Sequence, residues 1–339
     1  MKKAGRSITG MTALLLTLTS LTTACSGSGT NRSAPSTASL TAPSAAGVPS
    51  PVHTDTDGLA ASRSMNILVP AHGALLGHFY GAGTIAQTDA RIGRKPAIHL
   101  VYFNWADDWA TATTTRADFA DGRIPLINWE PFDVVFDDII SGKLDATIRA
   151  RADGAKALGK KFFLDFAAEM NEEEGWGGHN PAKYIAAWRH IHDVFIARGA
   201  TNVVWAWCPN VTDTPGAPPT MAYYPGDKYV DWTGVDGYNW GTSESGFDWQ
   251  SFNDVFADIY RKLAAKGKPI IIGEMASDET GGSKAQWIDG VVPTLKTKFP
   301  LIKAFVWFDI DKERHWQINS SPSSQAAYSR MARDPYLNP

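Results

Sequence analysis

The chain has 339 residues, of which 44% are hydrophobic and 20% are charged, the balance of a globular protein rather than a disordered one. Its two cysteines exclude a disulfide framework and a cysteine-rich zinc module. A formal charge of −3 excludes the basic surface that nucleic-acid binding requires. There are 13 tryptophans, yet no aromatic residue precedes Phe79, so we expect packed structure only downstream.

The first 24 residues are predicted to be an export signal. Basic residues precede the apolar stretch 11–21, which is too short to cross a bilayer as a helix. The run 21–25 (LTTAC) resembles the end of a bacterial lipoprotein signal, so Cys25 is expected to carry a lipid. A plain secretory signal is the alternative. Both interpretations predict an extracellular or cell-surface protein.

Residues 25–65 are predicted to form a flexible linker. Ser, Thr, Ala, Pro and Gly dominate this stretch, which buries too little apolar surface to offset its chain entropy. It would hold the following domain away from a membrane. Cys208 is the one cysteine of that domain, and we expect it to be a small buried apolar side chain.

Residues 66–339 are predicted to fold as a single (β/α)8 barrel. Short apolar runs alternate with segments of helical periodicity, which implies parallel strands with right-handed crossovers. Eight such units suggest closure into a barrel. The runs are Leu75–Tyr80, Ala97–Asn104, Ile124–Trp129, Phe162–Glu169, Asn202–Trp207, Val230–Tyr238, Pro269–Glu274 and Ile302–Phe308, and the clearest helical segments are Leu144–Leu158, Pro181–Arg198, Phe252–Lys266 and Ala285–Lys298.

Polar and aromatic side chains collect at the C-terminal ends of these runs, for example at Asn104, Asn128 and Asp236. In a barrel those ends converge on one face, where the active sites of this fold lie. Aromatic faces mixed with acids and amides suit a sugar ring, which stacks through its C–H face and needs hydrogen bonds for its hydroxyls. Packing between layers is the simpler explanation for many individual aromatics.

Glu169 and Glu274 end the fourth and seventh runs. Side chains alternate along a strand, so Glu169 is expected to share a face with Asp165, and Glu274 with Ile272. The ends of these two strands face each other across a barrel mouth, which allows the two carboxyl groups to act as a pair. Glycoside hydrolysis needs such a pair, one group to protonate the leaving oxygen and one to attack or to activate water.

Five segments, in this order, point to a known enzyme family. They are 122–131 (GRIPLINWEP), 141–171 (SGKLDATIRARADGAKALGKKFFLDFAAEMN), 197–210 (ARGATNVVWAWCPN), 223–239 (YYPGDKYVDWTGVDGYN) and 269–277 (PIIIGEMAS). The chain resembles glycoside hydrolase family 26, retaining β-glycanases dominated by β-mannanases, over nearly all of residues 75–310. The resemblance implies an endo-acting hydrolase that works by double displacement, with β-1,4-mannan as the first expected substrate.

The resemblance also implies roles for individual residues. The acid/base is Glu169 and the nucleophile is Glu274, while Tyr238 steadies the nucleophile and Trp307 is a platform under the reactive sugar. A polysaccharide partner is expected, with a monomeric protein and neither cofactor nor metal. Further substrate contacts are expected from Asn171, Trp176, Trp240, Trp105 and Trp129.

Two departures from the family pattern weaken the mannan preference. The mannanases usually have His immediately before the acid/base and Arg four residues before it, where this chain has Ala168 and Asp165. The Gly-x-Trp that normally follows is replaced by 172–176 (EEEGW). A β-1,3/1,4-glucanase, a xylanase and a non-catalytic carbohydrate-binding lipoprotein therefore stay open. Asp165 is expected either to bond locally or to raise the pKa of Glu169.

Two rival patterns are weaker. The run 81–86 (GAGTIA) matches a dinucleotide-binding fingerprint, but the next predicted strand ends in Asn104 and Trp105 instead of the acid that holds a ribose. His190 and His192 suggest a metal site, yet residues two apart on a helix face different ways.

Overall fold

The computed structural model describes residues 67–81, 83–172 and 176–338. Eight parallel strands, taken in chain order, close into one barrel in which the last strand pairs with the first. The predicted (β/α)8 barrel is thereby confirmed, and an open dinucleotide-binding sheet is excluded. The predicted export signal, Cys25 and the linker lie outside the described residues. Within those residues, no helix is both long and apolar enough to pass through a membrane.

Each of the eight predicted apolar runs forms one strand, because β-branched and aromatic residues suit a sheet that is covered on both faces. The fourth strand ends before Glu169, and the seventh continues beyond Glu274. The strands are β1 (Leu75–Tyr80), β2 (Ile98–Asn104), β3 (Ile124–Glu130), β4 (Phe162–Phe166), β5 (Val203–Trp207), β6 (Trp232–Asn239), β7 (Ile270–Ser277) and β8 (Ile302–Asp309).

Helices lie between the strands, and their ends follow from local capping. The segment Pro181–Arg198 is helical over its predicted bounds, because the Asn180 side chain caps its first turn and Gly199, with a φ of 77°, ends it. The helices are α1 (Ile85–Ile92), α2 (Thr113–Ala120), α3 (Phe136–Ile140), α4 (Asp145–Leu158), α5 (Pro181–Arg198), α6 (Phe252–Ala264), α7 (Lys284–Asp289), α8 (Val291–Thr297) and α9 (Pro322–Ala332), and a 3-10 helix covers Thr220–Tyr223.

The predicted helix over 285–298 is two helices, α7 and α8, which meet at Gly290. Pro293 lies in the first turn of α8, where its missing N–H leaves no hydrogen bond unmade. Continuous helical periodicity in the sequence therefore hides a break that Gly and Pro introduce.

Large indoles fill the layer between the sheet and the helices. Trp129 of β3 and Trp205 of β5 are fully buried. The first packs 6.1 Å from Trp109 between ring centroids, and the second 5.7 Å from Trp188 of α5. These rings stabilise the outer layer by burying large apolar surfaces. Polar strand residues are left for the inner face, where the candidate site lies.

Candidate active site

A register shift in β7 turns Glu274 into the barrel. Ile272 pairs with Val235 and Glu274 pairs with Asp236, so two steps along β7 match one step along β6. Adjacent residues of β6 face opposite sides of the sheet, and their partners Ile272 and Glu274 therefore do so too. The expectation that Ile272 and Glu274 share a face is wrong, because Gly273 is the extra residue of a β-bulge.

Two tyrosine hydroxyls donate to Glu274, one to each carboxylate oxygen. Tyr102 of β2 donates to Oε1, and Tyr238 of β6 donates to Oε2. Burial holds the pKa of Glu274 above its ordinary value, although these two donors and the charge of Lys312 act to lower it. The carboxylate is therefore held in one orientation, and its negative charge is stabilised by donors from both sides.

Glu169 reaches the barrel mouth through left-handed backbone and not through strand alternation. β4 ends before it, and both Ala167 and Glu169 have a φ of 54°. That conformation costs a residue with a Cβ about 1–2 kcal/mol. Two backbone hydrogen bonds hold it, from Ala167 N to Trp129 O at 3.1 Å and from Glu169 N to Cys208 O at 2.8 Å. Strand alternation therefore does not decide which way Glu169 points, contrary to the prediction that placed it on one face with Asp165.

Asn171 holds the loop after β5 and does not face a sugar. Its amide nitrogen donates to Asn210 O at 3.0 Å and to Thr212 O at 3.2 Å, and its Oδ1 accepts from Asn210 N at 2.8 Å. The side chain is fully buried. The prediction that Asn171 contacts substrate is wrong, because its polar atoms are used inside the protein. It positions Asn210, whose Nδ2 donates to Glu169 Oε1 at 2.8 Å.

Acidic groups surround Glu169. Burial raises its pKa well above the ordinary value, the charges of Glu172 and Glu274 raise it further, and the hydrogen bond from Asn210 lowers it. These carboxylates act on Glu169 more strongly than Asp165 does, so the expected coupling to Asp165 is not what raises its pKa. A glutamic acid that keeps its proton near neutral pH is able to serve as a general acid.

Three further acids interact electrostatically with Glu274. Burial raises the pKa of Asp165 to about 8 although the Cys208 thiol donates to it, and Glu274 adds to the rise. Burial, followed by Glu274, raises the pKa of Asp236 well above its ordinary value. Among the described residues, neither carboxyl oxygen of Asp236 has a hydrogen-bond partner of ordinary geometry. Burial also raises the pKa of Glu130 to about 8. Cys208 is buried as expected, but it has a polar role.

A comparison with protein families decides what kind of protein carries this geometry. The sequence profile of glycosyl hydrolase family 26 matches residues 142–331, which include both Glu169 and Glu274. The chain belongs to glycosyl hydrolase family 26. The five sequence segments predicted this family.

Curated relatives of this chain include an endoglucanase and a mannosidase. Endoglucanase H of Acetivibrio thermocellus is 43% identical over 245 residues, which are 70% of this chain and 27% of that protein. Mannan endo-1,4-beta-mannosidase A and B of Caldalkalibacillus mannanilyticus is 26% identical over 152 residues, 42% of this chain and 26% of that protein. The chain thus spans about a quarter of the length of these curated relatives. A solved Bacillus subtilis mannanase has the same fold, with a TM-score of 0.56, 20% identity and coverage of 79% of this chain and 87% of that one.

The resemblance to family 26 predicts that Trp307 is a platform under the reactive sugar. In the structure Trp307 is a packing residue. It is fully buried, and its Nε1 donates to Trp316 O at 2.9 Å. Its ring lies 5.3 Å from that of Tyr328 in α9, on the outer face of the sheet. The next residue, Phe308, faces inward and stacks on Phe79 at 4.8 Å. The prediction for Trp307 is wrong, because alternation along β8 points it away from the mouth.

Trp105 and Trp129 form a stacked pair inside the outer layer. Their rings lie 4.4 Å apart at an angle of 4°, and Trp129 Nε1 donates to Trp105 O at 3.2 Å. Trp129 is fully buried, and Trp105 is 7% exposed. The prediction that Trp129 contacts substrate is wrong, and Trp105 offers almost no surface for stacking. Both rings pack against the protein.

Of the tryptophans predicted to contact substrate, Trp176 and Trp240 are partly exposed. Trp176 Nε1 donates to Ala168 O at 2.7 Å, next to Glu169, and its ring meets Phe132 at 4.9 Å. Trp240 stacks on Phe247 at 5.3 Å. A sugar contact at either residue stays a prediction.

Sequence reasoning missed Tyr102, Asn210 and Glu172 as parts of the site. Tyr102 sits inside an apolar run, and only its register with β3, where it pairs with Asn128, places it on the polar inner face. Asn210 and Glu172 lie in loops after strands, and no periodicity locates a loop side chain. The acidic run that begins at Glu172 is evident in the sequence, but the sequence does not indicate that Glu172 lies beside Glu169.

Proposed function

We propose that this protein is a retaining endo-β-glycanase in which Glu274 is the nucleophile and Glu169 is the acid/base. One observation carries the assignment: the two carboxyl groups have opposite surroundings. Glu274 accepts from Tyr102 and Tyr238, which stabilise its anion. Glu169 lies among other carboxylates, which favour its protonated form. Paired acids whose environments differ in this way divide the roles of nucleophile and acid.

In the proposed chemistry Glu274 acts as the carboxylate and Glu169 as the acid. The Glu274 carboxylate attacks the anomeric carbon and forms a glycosyl ester, while the Glu169 proton goes to the departing glycosidic oxygen as that bond breaks. Glu169, now ionised, takes a proton from water, which attacks the anomeric carbon and displaces Glu274. Two inversions restore the starting anomeric configuration, and each carboxyl group ends in its original state.

For the substrate we propose a β-glucan, cleaved at internal linkages. The relative with 43% identity is named an endoglucanase, whereas the mannosidase shares 26%. Ala168 and Asp165 replace the His and Arg of the mannanase pattern beside the acid/base. Mannan, the first expectation from the resemblance, becomes the alternative outcome of the test.

A polysaccharide panel tests this proposal. We expect reducing ends to appear faster from mixed-linkage β-1,3/1,4-glucan than from galactomannan, xylan or β-1,3-glucan. Proton NMR of the first products should give the β-anomer, and the catalytic oxygens of Glu169 and Glu274 should lie about 5–5.5 Å apart in a crystal structure. Initial release of the α-anomer would overturn the double displacement, and a preference for mannan would overturn the substrate.

We also propose that the protein is exported and anchored through a lipid on Cys25. The sequence pattern of residues 1–25 supports this placement. Radiolabelled palmitate should enter the full-length chain but not its Cys25→Ser variant. Equal labelling of both chains would overturn the anchor.

A further inference from the structure

One side-chain amide joins two glutamates. Asn210 Nδ2 donates to Glu169 Oε1 at 2.8 Å and to Glu172 Oε1 at 2.7 Å. The two acceptor oxygens therefore lie at most about 5.5 Å apart, a separation at which like charges repel strongly in a partly buried site. The Glu172 backbone N–H also donates to Glu169 O at 3.0 Å, which keeps the two residues together.

We propose that Glu172 is a positioning residue of the acid/base: it shares the Asn210 amide with Glu169 and keeps a second carboxylate beside the group that must deliver a proton. The inference rests on the proposed function, in which Glu169 is the acid. Asn210 alone would favour ionised Glu169, because an N–H donor stabilises a carboxylate. Glu172 accepts from the same amide and opposes that ionisation with its own charge.

The other groups that act on Glu169 are also acidic. Glu274 of β7, Glu130 of β3 and Asp236 and Tyr238 of β6 interact with it electrostatically. Lys312 is a cation near the site, and it acts on Glu274. Glu172 is the strongest of the charges that raise the pKa of Glu169. Removing it should therefore let the acid lose its proton at a lower pH.

The location of Glu172 makes it a feature of this chain rather than of the mannanase pattern. It opens the run 172–176 (EEEGW), which stands where that pattern has Gly-x-Trp. A glycine at this position would leave the second N–H of Asn210 without a carboxylate. The altered run thus supplies a charge at the point where His and Arg are absent from positions 168 and 165.

Glu172→Gln tests the proposal, because glutamine keeps an acceptor oxygen for Asn210 and removes only the charge. The basic limb of kcat/KM on β-glucan should move down by about 0.5–1 pH unit. Its limiting value at lower pH should stay within about twofold. On a dinitrophenyl β-glycoside, whose leaving group needs no proton, kcat/KM should be unchanged at high pH. Asp258→Asn, which removes an exposed carboxylate of α6, is the matched control and should shift nothing.

An unmoved basic limb in the folded, active Glu172→Gln variant would overturn the inference. So would a rise in KM that is equal at every pH, because that result assigns Glu172 to substrate contact. Glu169→Gln, measured alongside, separates the two hypotheses. If Glu169→Gln cleaves β-glucan at the normal rate with the basic limb intact, the proposed function fails. If it loses that activity while Glu172→Gln behaves normally, only the role of Glu172 fails.

Discussion

Glu274 and Glu169 are the same residue type in one barrel mouth, yet their neighbours have opposite effects. Hydroxyl donors from the two rigid strands β2 and β6 reach Glu274. Loop residues reach Glu169, and the strongest charge among them is another carboxylate. Donors stabilise an anion and like charges disfavour it, so neighbours and not residue identity assign the two roles. Changing each set of neighbours in turn is the way to test this difference.

Glu274→Ala should have the largest effect. Glu274 is the group proposed to form the glycosyl ester, so turnover should fall by about 10⁴-fold or more on every substrate. Polysaccharide and dinitrophenyl glycoside should suffer alike, and added azide should restore cleavage with inversion. Residual activity near the normal rate would show that the tyrosine-bound carboxylate is not the nucleophile.

Glu169→Ala should divide substrates by their leaving groups. The loss of kcat/KM should be about 10²–10⁴-fold on β-glucan, where the leaving oxygen needs a proton. It should be far smaller on the dinitrophenyl glycoside, whose leaving group departs without help. Steady-state kinetics on both substrates give the comparison, and equal losses would remove Glu169 from the role of acid.

Tyr102→Phe and Tyr238→Phe each remove one donor from Glu274. Hydrogen bonds to charged groups are worth about 1.5–3 kcal/mol, so kcat/KM should fall about tenfold or more near neutral pH. The acidic limb should move up by about one pH unit, because the carboxylate loses stabilisation. Tyr224→Phe, whose hydroxyl donates to Asp227 at 2.9 Å, is the control. An acidic limb that stays in place in both variants would contradict the proposed function of the pair.

Asp165→Asn should change stability more than activity. The pKa of Asp165 is about 8 in the folded protein against an ordinary 3.8. Between these values the folded state binds a proton that the unfolded chain lacks, so stability is full at the acidic end and is lost as pH rises. Each bound proton contributes at most about 1.4 kcal/mol per pH unit to this slope.

Urea unfolding of the Asp165→Asn variant between pH 5 and 8 measures that slope. We expect the decline in unfolding free energy to be shallower than in the unmodified protein. Asp258→Asn should keep the original slope, because Lys262 and Arg261 hold the pKa of Asp258 below its ordinary value and its carboxylate stays ionised from pH 5 to 8. Parallel slopes for all three proteins would mean that Asp165 is ionised in the folded state.

The barrel could be predicted from the sequence because each strand is a short apolar run followed by helical periodicity. Side-chain direction at the mouth could not be predicted equally well. Alternation placed Glu274 with Ile272, but the bulge at Gly273 separates their faces. Glu169 was correctly expected at the mouth for an incorrect reason, since its direction depends on positive φ angles that no sequence pattern indicates.

The tryptophans illustrate the same limit. Indoles at strand ends suggested sugar stacking, yet Trp129 and Trp307 pack fully buried against the helices. Composition alone does not distinguish an aromatic residue that packs in the outer layer from one that stacks on a sugar. Only the face of the strand on which each side chain lies separates the two uses. The proposed acid/base and nucleophile were predicted from family motifs, which do not depend on that parity.

Gly273 divides β7 into two parts that differ in the phase of their side-chain alternation. Residues before Gly273 pack in the floor of the barrel. The extra residue changes which face of the sheet each later side chain points toward. A Cβ at 273 would lie 2.6 Å from Asp236 Oδ1 and 3.2 Å from Cys208 Sγ, so a larger residue would displace the Asp236 side chain beside Glu274. Transplanting Glu274 onto another barrel would therefore require this glycine and its additional residue, because a glutamate copied onto a regular strand would point toward the helices.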